Sequence, residues 1–220
     1  MSEVKAVPIS DGVFKIDGRY HTLNLVPGRS VYGEDLLQLD DVEYRHWDPN
    51  RSKLGAFLVK EGGLPFKYDS EVLYLGAGDG TTVSHLSDIL TDGKIYAVEV
   101  AKNPYRNLLQ LSKRRKNIFP IMADARRTQD YRDLINEVDI VYQDIAQRDQ
   151  VEIFIKNLDF LKLDNHGLIA VKSRSMEVST PPKKIYQKVM KKLEDRNYQV
   201  MMQVDISRWQ KDHAVLVVEK

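Results

Sequence analysis

The stretch "EVLYLGAGDGTT", residues 71 to 82, joins a short apolar run, Val72 to Leu75, to glycines at 76, 78 and 80 and a threonine pair. A buried strand that feeds a glycine turn brings backbone N–H groups close to a ligand. Such a turn commonly cradles a nucleotide-like cofactor. A dinucleotide fingerprint would place its third glycine at position 81, where Thr81 stands, so the turn is not a clean G-x-G-x-x-G.

Outward from this turn the chain alternates. Strand candidates are "VLYL", "KIYAV", "IFPIM", "VDIVYQD" and "GLIAVKS", with helical stretches between them. One of these, "NPYRNLLQLSKRRK", offers Asn103 as N-cap and Pro104 at the first helical position. Alternation of this kind predicts a parallel sheet covered by helices on both faces. The end departs from it: "YQVMMQVDIS" and "HAVLVVEK" are too close for a crossover helix, so they must pair antiparallel. The expected fold class is α/β, a mostly parallel sheet with an antiparallel C-terminal hairpin. That arrangement resembles the Rossmann-like fold of S-adenosylmethionine-dependent methyltransferases. Before it, residues 1 to 45 read as a small β appendage. "GVFKIDGRYHTL" flanks the turn pair Asp17-Gly18 with extended runs, and Pro27-Gly28 marks another turn. The expected division is therefore 1–45 and 46–220.

Two acids sharpen the cofactor reading. The strand "KIYAVEV" ends near Glu99, about 20 residues beyond the middle glycine, where a carboxylate accepts hydrogen bonds from the ribose hydroxyls of an adenosine. "IFPIMADA" places Asp124 at the next strand end, within reach of an adenine amino group. In an open α/β sheet these positions converge outside the carboxyl ends of the strands. Taken singly, each acid is an ordinary loop-entry or N-cap carboxylate. Together with the turn they specify an adenosine-containing cofactor, and the fold favours S-adenosylmethionine.

Composition sets the outer bounds. The 220 residues include no cysteine, which excludes disulfides and thiolate metal sites and makes an intracellular, cytoplasmic location the expectation. No clustered His/carboxylate spacing points to a metal. No apolar run reaches the ~18 residues of a membrane span, and "MSEVKAVPIS" lacks a secretory apolar core. Lys and Arg total 33 against 32 Asp and Glu, a net charge of +1, so strong autonomous binding to nucleic acid is not expected. In the Lys-rich "PPKKIYQKVMKKLEDR", Ile185, Val189 and Leu193 share a face and the lysines lie off it, which reads as a solvated amphipathic helix.

Several separated motifs recur in one order: "HWDPNRSKLGAFLVK" at 46–60, "YLGAGDGTTVSHLSD" at 74–88, "IYAVEV", "VYQDIAQRDQ", "IAVKSRS" and "KDHAVLVV". On these the chain resembles the fibrillarin family, RNA 2'-O-methyltransferases of C/D box guide ribonucleoproteins. The absence of a glycine/arginine-rich tail is similar to the archaeal form. Within the turn, Gly78-Asp79 stands where the family usually carries two small residues, and "GAGDG" is also similar to the aminopropyltransferases of the same fold. The resemblance implies S-adenosylmethionine held by Gly76, Ala77, Gly78, Thr81, Thr82, Glu99, Val100, Asp124, Ala125, Asp144, Ile145, Ala146 and Gln147. It implies a catalytic Lys-Asp-Lys-His set at Lys53, Asp144, Lys172 and His213. It further implies rRNA and tRNA substrates chosen by a C/D box guide RNA, with a Nop-domain scaffold and a kink-turn-binding, ribosomal-like protein as companions.

Topology supports that catalytic set independently. Asp144 and Lys172 follow or end parallel strands, His213 opens an antiparallel one, and Lys53 precedes the first, so all four can meet at one edge of the sheet. A ribose hydroxyl is a poor nucleophile, so the protein must position it and take its proton. A lysine ending a buried strand needs an acidic partner or a function, and Asp144 is the expected partner of Lys172. Two other readings remain at this point: an aminopropyl or small-molecule transferase on the same fold, and a non-catalytic ribonucleoprotein subunit.

Overall fold

In the computed structural model, which describes residues 4–220, the chain builds two sheets. The first is antiparallel: β1 (Val7–Ser10), β2 (Val13–Ile16), β3 (Arg19–Leu23), β4 (Leu36–Leu39) and β5 (Val42–His46), in spatial order β1-β2-β3-β5-β4. Asp17 and Gly18, both at positive φ (47° and 75°), close the β2–β3 hairpin, the backbone that a two-residue turn between twisted strands demands. Val26 accepts a hydrogen bond from Arg29 N across Pro27-Gly28, so this pair is also a turn.

The second sheet follows α1 (Lys53–Glu61). It comprises β6 (Glu71–Leu75), β7 (Lys94–Glu99), β8 (Ile118–Met122), β9 (Val138–Gln143), β10 (Leu161–Lys172), β11 (Gln199–Asp205) and β12 (His213–Glu219). Helices α2 (Thr81–Ile89), α3 (Lys102–Ser112), α4 (Gln150–Asn157), α5 (Ser173–Met176) and α6 (Pro182–Glu194) connect them. The order is β11-β12-β10-β9-β6-β7-β8; β8 through β10 run parallel, and β12 lies antiparallel between β10 and β11. The strand order reverses between β6 and β9, which opens a crevice at their carboxyl ends. Alternation along β6 sends Val72 and Tyr74 into one core and Leu73 and Leu75 into the other, so each face of the sheet has its own apolar layer. Ile185, Val189 and Leu193 of α6 are buried together against the second layer.

The start of α3 differs from expectation. Helix α3 is capped by Ala101, not Asn103, and Pro104 falls in the first turn. Proline is tolerated there because N–H groups of the first turn have no intrahelical acceptor. The start moves back because Ala101 N donates to the Glu99 carboxylate and Ala101 O accepts from Tyr105 N, closing the first helical bond.

The two sheets are joined by a buried polar cluster. Arg45 is fully buried and donates to Glu34 (2.7 Å), Asp88 (2.6 Å) and Ser84 (2.9 Å), while Asp88 also accepts from Arg115 and Thr22. His85 stacks on Trp47, with centroids 4.8 Å apart, and bonds Thr22 and Tyr32. Burial first, then the Arg45 and Arg115 charges, push the His85 imidazole well below its ordinary pKa. Breaking one partner out of such a cluster typically costs ~3–5 kcal/mol. Through Asp88, Ser84 and His85 the first sheet braces α2, the helix that carries the glycine turn.

Candidate active site

Strand β6 leads into Gly76, whose N–H and that of Ala77 both donate to Val98 O at 3.0 and 3.1 Å. Gly76 has φ +80°, and a Cβ there would sit 2.6 Å from the Asp144 carbonyl, so no other residue fits between β6 and β9. Gly78, at φ +56°, faces open space instead, in a cleft of about 310 Å3. Glu99, largely buried, accepts from Gly78 N and Ala101 N, both at 2.8 Å. The carboxylate thus holds the glycine turn against the end of β7. Asp124 accepts from Arg126 N (2.9 Å), which tightens the turn that follows β8 at the wall of the cleft.

Of the expected cofactor contacts, Gly76, Gly78, Glu99, Val100, Asp124, Ala125, Asp144, Ile145 and Gln147 line this cleft. Ala77, Thr81, Thr82 and Ala146 do not. Ala77 is buried in the core, and the Thr82 hydroxyl is engaged with Ser52 at 2.9 Å. The cleft adds Val98, Ala123, Arg126 and Ile153. Arg126 stands two positions after Asp124 and forks onto Asp149 (2.8 and 3.0 Å), a pairing the motif "ADAR" did not disclose. Ile153 comes from α4, and only packing brings it there.

The Lys-Asp-Lys-His residues meet at one end of the cleft. Ser52 caps α1 by accepting from Gly55 N (3.0 Å), which fixes Lys53 as the first helical residue. Lys53 Nζ lies 2.9 Å from Asp144 Oδ1 and 3.2 Å from Oδ2, a half-buried pair. Asp144 itself is held by its N–H to Leu75 O (2.9 Å). Lys172 pairs in register with His213 across β10 and β12, and its backbone is clamped on both sides by the Gln150 amide (3.1 and 3.3 Å). The expected Lys172–Asp144 ion pair is not what forms: Asp144 takes Lys53, and Lys172 has no ion-pair partner among the described residues. The reason is that the α1 cap aims Lys53 at Asp144.

His213 is 6% exposed, with Nδ1 2.7 Å from Lys211 O. Only an N–H can face a carbonyl, so Nδ1 carries the proton and Nε2 presents a lone pair. Nε2 is buried and has no partner. Burial lowers the imidazole pKa, the Lys211 carbonyl opposes this, and the Lys53 charge adds to it. His213 is accordingly a neutral acceptor beside two lysines.

The sheet order, the glycine turn and the paired carboxylates are those of the Rossmann-like S-adenosylmethionine-dependent methyltransferases. Within that class, a family model described as fibrillarin matches residues 4–220. A curated relative from Methanothermobacter thermautotrophicus, named a fibrillarin-like rRNA/tRNA 2'-O-methyltransferase, is 43% identical over 222 residues, covering 100% of this chain and 99% of that one. The solved Aeropyrum pernix fibrillarin with natively bound S-adenosyl-L-methionine superposes with TM-score 0.85 at 39% identity, covering 98% and 100% of the two chains. The structure of a fibrillarin/Nop5p complex gives TM-score 0.90 at 35% identity, covering 97% and 100%. The chain belongs to the fibrillarin family.

Proposed function

We propose that this chain is an S-adenosylmethionine-dependent ribose 2'-O-methyltransferase acting on rRNA and tRNA, the catalytic subunit of a C/D box guide ribonucleoprotein. The observation that carries this reading is the Lys53–Asp144 pair beside Lys172, which has no ion-pair partner among the described residues, and a neutral His213, at one end of a cleft lined by Glu99 and Asp124. The cleft fits the cofactor. Gly78 leaves the space that a side chain would fill, and Glu99 and Asp124 offer carboxylates for ribose and adenine. Val100, Ala125 and Ile153 supply apolar wall. When bound, S-adenosylmethionine supplies an electrophilic methyl group.

The remaining work falls to this chain's side chains. Lys172 takes the proton from the 2'-hydroxyl. Asp144, oriented by Lys53, fixes the hydroxyl in line with the cleft. His213 Nε2 accepts a hydrogen bond at the same place, either from the hydroxyl or from Lys172. A polyamine substrate would meet two lysines here, which disfavours the aminopropyl reading.

The partners belong to the same proposal. A Nop-domain scaffold is supported by the solved complex of a relative with Nop5p. The guide RNA, the kink-turn-binding protein and a cytoplasmic location follow from the family resemblance. The division into 1–45 and 46–220 is proposed alongside, supported by the first sheet ending at His46. Among the described residues, no helix is long and apolar enough to cross a membrane. The test is reconstitution with a C/D guide RNA and both companions, followed by mapping of ribose methylation. One methylated ribose per guide is expected, with poor activity of the isolated chain because its +1 charge holds RNA weakly. Efficient site-specific methylation of naked RNA by this chain alone would defeat the guide-dependent reading.

A further inference from the structure

A second groove, of about 440 Å3, lies between α1 and the β11–β12 connection, lined by Val59, Lys60, Asp205, Ser207, Arg208 and Trp209. Both walls belong to elements that carry a catalytic-set residue. Helix α1 begins with Lys53, and Lys60 lies seven residues further on, about 10 Å along the helix. The β11–β12 connection runs directly into His213, and it is held rigidly. Gln210 Nε2 donates to Pro49 O (2.9 Å) and Asn50 O (2.8 Å), and Trp209 packs on the core. The groove therefore keeps a fixed distance from the reacting centre.

Its chemistry is cationic with an aromatic shelf. Arg208 extends over the Trp209 ring, 5.4 Å from its centroid. Lys60 and Arg208 are exposed and make no ion pair among the described residues; the same holds for Lys183 at the start of α6. The one carboxylate, Asp205, is engaged by Ser207, whose N–H donates to it at 2.8 Å. Hydrogen bonding from the Ser207 side chain first and from its backbone second, with the Lys60 and Lys183 charges adding less, holds the Asp205 pKa low against its partial burial. Three cations that make no ion pair among the described residues, around one hydrogen-bonded acid, leave the groove positive, although the whole chain carries only +1.

We propose that this groove binds the phosphate backbone of the target RNA strand beside the methylated nucleotide, with Lys60 and Arg208 as positioning residues. The proposal rests on the RNA-methyltransferase reading above. Free guanidinium and ammonium groups on a rigid shelf suit a polyanion. Val59 and Trp209 alone are too little apolar surface for a stable protein contact.

The experiment uses the assembled complex with guide RNA, scaffold and kink-turn protein, and a fluorescent RNA oligonucleotide complementary to the guide. The double variant Lys60→Ala/Arg208→Ala should raise the target concentration for half-maximal methylation about tenfold at moderate salt. The log–log salt slope should fall by roughly one per lost contact. The single-turnover rate at saturating target should stay within about twofold, because the contact is made equally in ground and transition states. Anisotropy of the labelled strand without cofactor should show the same loss of affinity, and Lys60→Arg should keep the wild-type affinity where Lys60→Met lowers it by part of that tenfold. Unchanged target affinity and salt slope would overturn the proposal. So would loss of the scaffold from the variant on gel filtration, which would make the groove a protein contact. A wild-type complex that binds target but methylates no ribose would instead count against the underlying reading.

Discussion

Replacing Glu99 by alanine removes two contacts at once and tests how the cofactor cleft is built. The carboxylate accepts from Gly78 N and Ala101 N at 2.8 Å each, and its remaining lone pairs face the cleft, where the ribose hydroxyls are proposed to bind. Each charge-assisted bond is worth ~1.5–3 kcal/mol when intact. The two backbone N–H groups lie beside an open cleft, so water can replace part of what they lose. The ribose bonds have no such replacement once the cofactor is seated. A net loss of about 1–3 kcal/mol in S-adenosylmethionine affinity follows, or roughly 5- to 150-fold in Kd. Titration calorimetry of the purified chain measures this directly, with far-UV circular dichroism to establish folding. S-adenosylhomocysteine should lose affinity in parallel, since it shares the adenosine. Unchanged affinity in a folded variant would remove Glu99 from the site and with it the proposed ribose contact.

Three further outcomes follow from the same geometry. Gly76→Ala places a Cβ 2.6 Å from the Asp144 carbonyl and should lower the melting temperature markedly, whereas Gly78→Ala, facing open space, should fold and still lose cofactor affinity. Equal destabilisation of the two would contradict the assignment of Gly78 to the cleft. Lys172→Arg keeps the positive charge, but a guanidinium is no base near neutral pH, so methylation by the assembled complex should fall ~10²–10⁴-fold, as for Lys172→Ala. An active Lys172→Arg enzyme would make Lys172 a positioning residue. Finally, His21 has its pKa lowered to about 4, and those of His85 and His213 are also lowered, in each case chiefly by burial. The unfolded chain binds these protons from pH ~6.5 downward while the folded chain resists them. Stability is therefore full above that value and is lost as pH falls toward 4, at up to about 1.4 kcal/mol per pH unit per histidine. A melting temperature independent of pH between 7 and 5 would refute the neutral assignments.

Local signals in the chain were enough for the parallel sheet, the glycine turn and the C-terminal pairing. Turn chemistry and the alternation of apolar residues act over a few positions, as at Asp17-Gly18 and Val72 to Leu75, so they can be read from neighbours alone. That Glu99 and Asp124 would line one cleft was legible for a related reason: strand ends in a parallel sheet converge on one edge. The pairing within the proposed catalytic set was not legible. Whether Lys53 or Lys172 takes Asp144 depends on where the Ser52 cap aims α1, and a lysine is long and flexible enough to satisfy either pattern. The buried Arg45–Asp88–Arg115 cluster was equally hidden, because each of those charges, taken alone, reads as a solvated residue. The groove by Arg208 was masked by a net charge near zero. Composition sums charges over the whole chain, and only the tertiary structure decides which of them are neutralised by a partner and which are left facing the site.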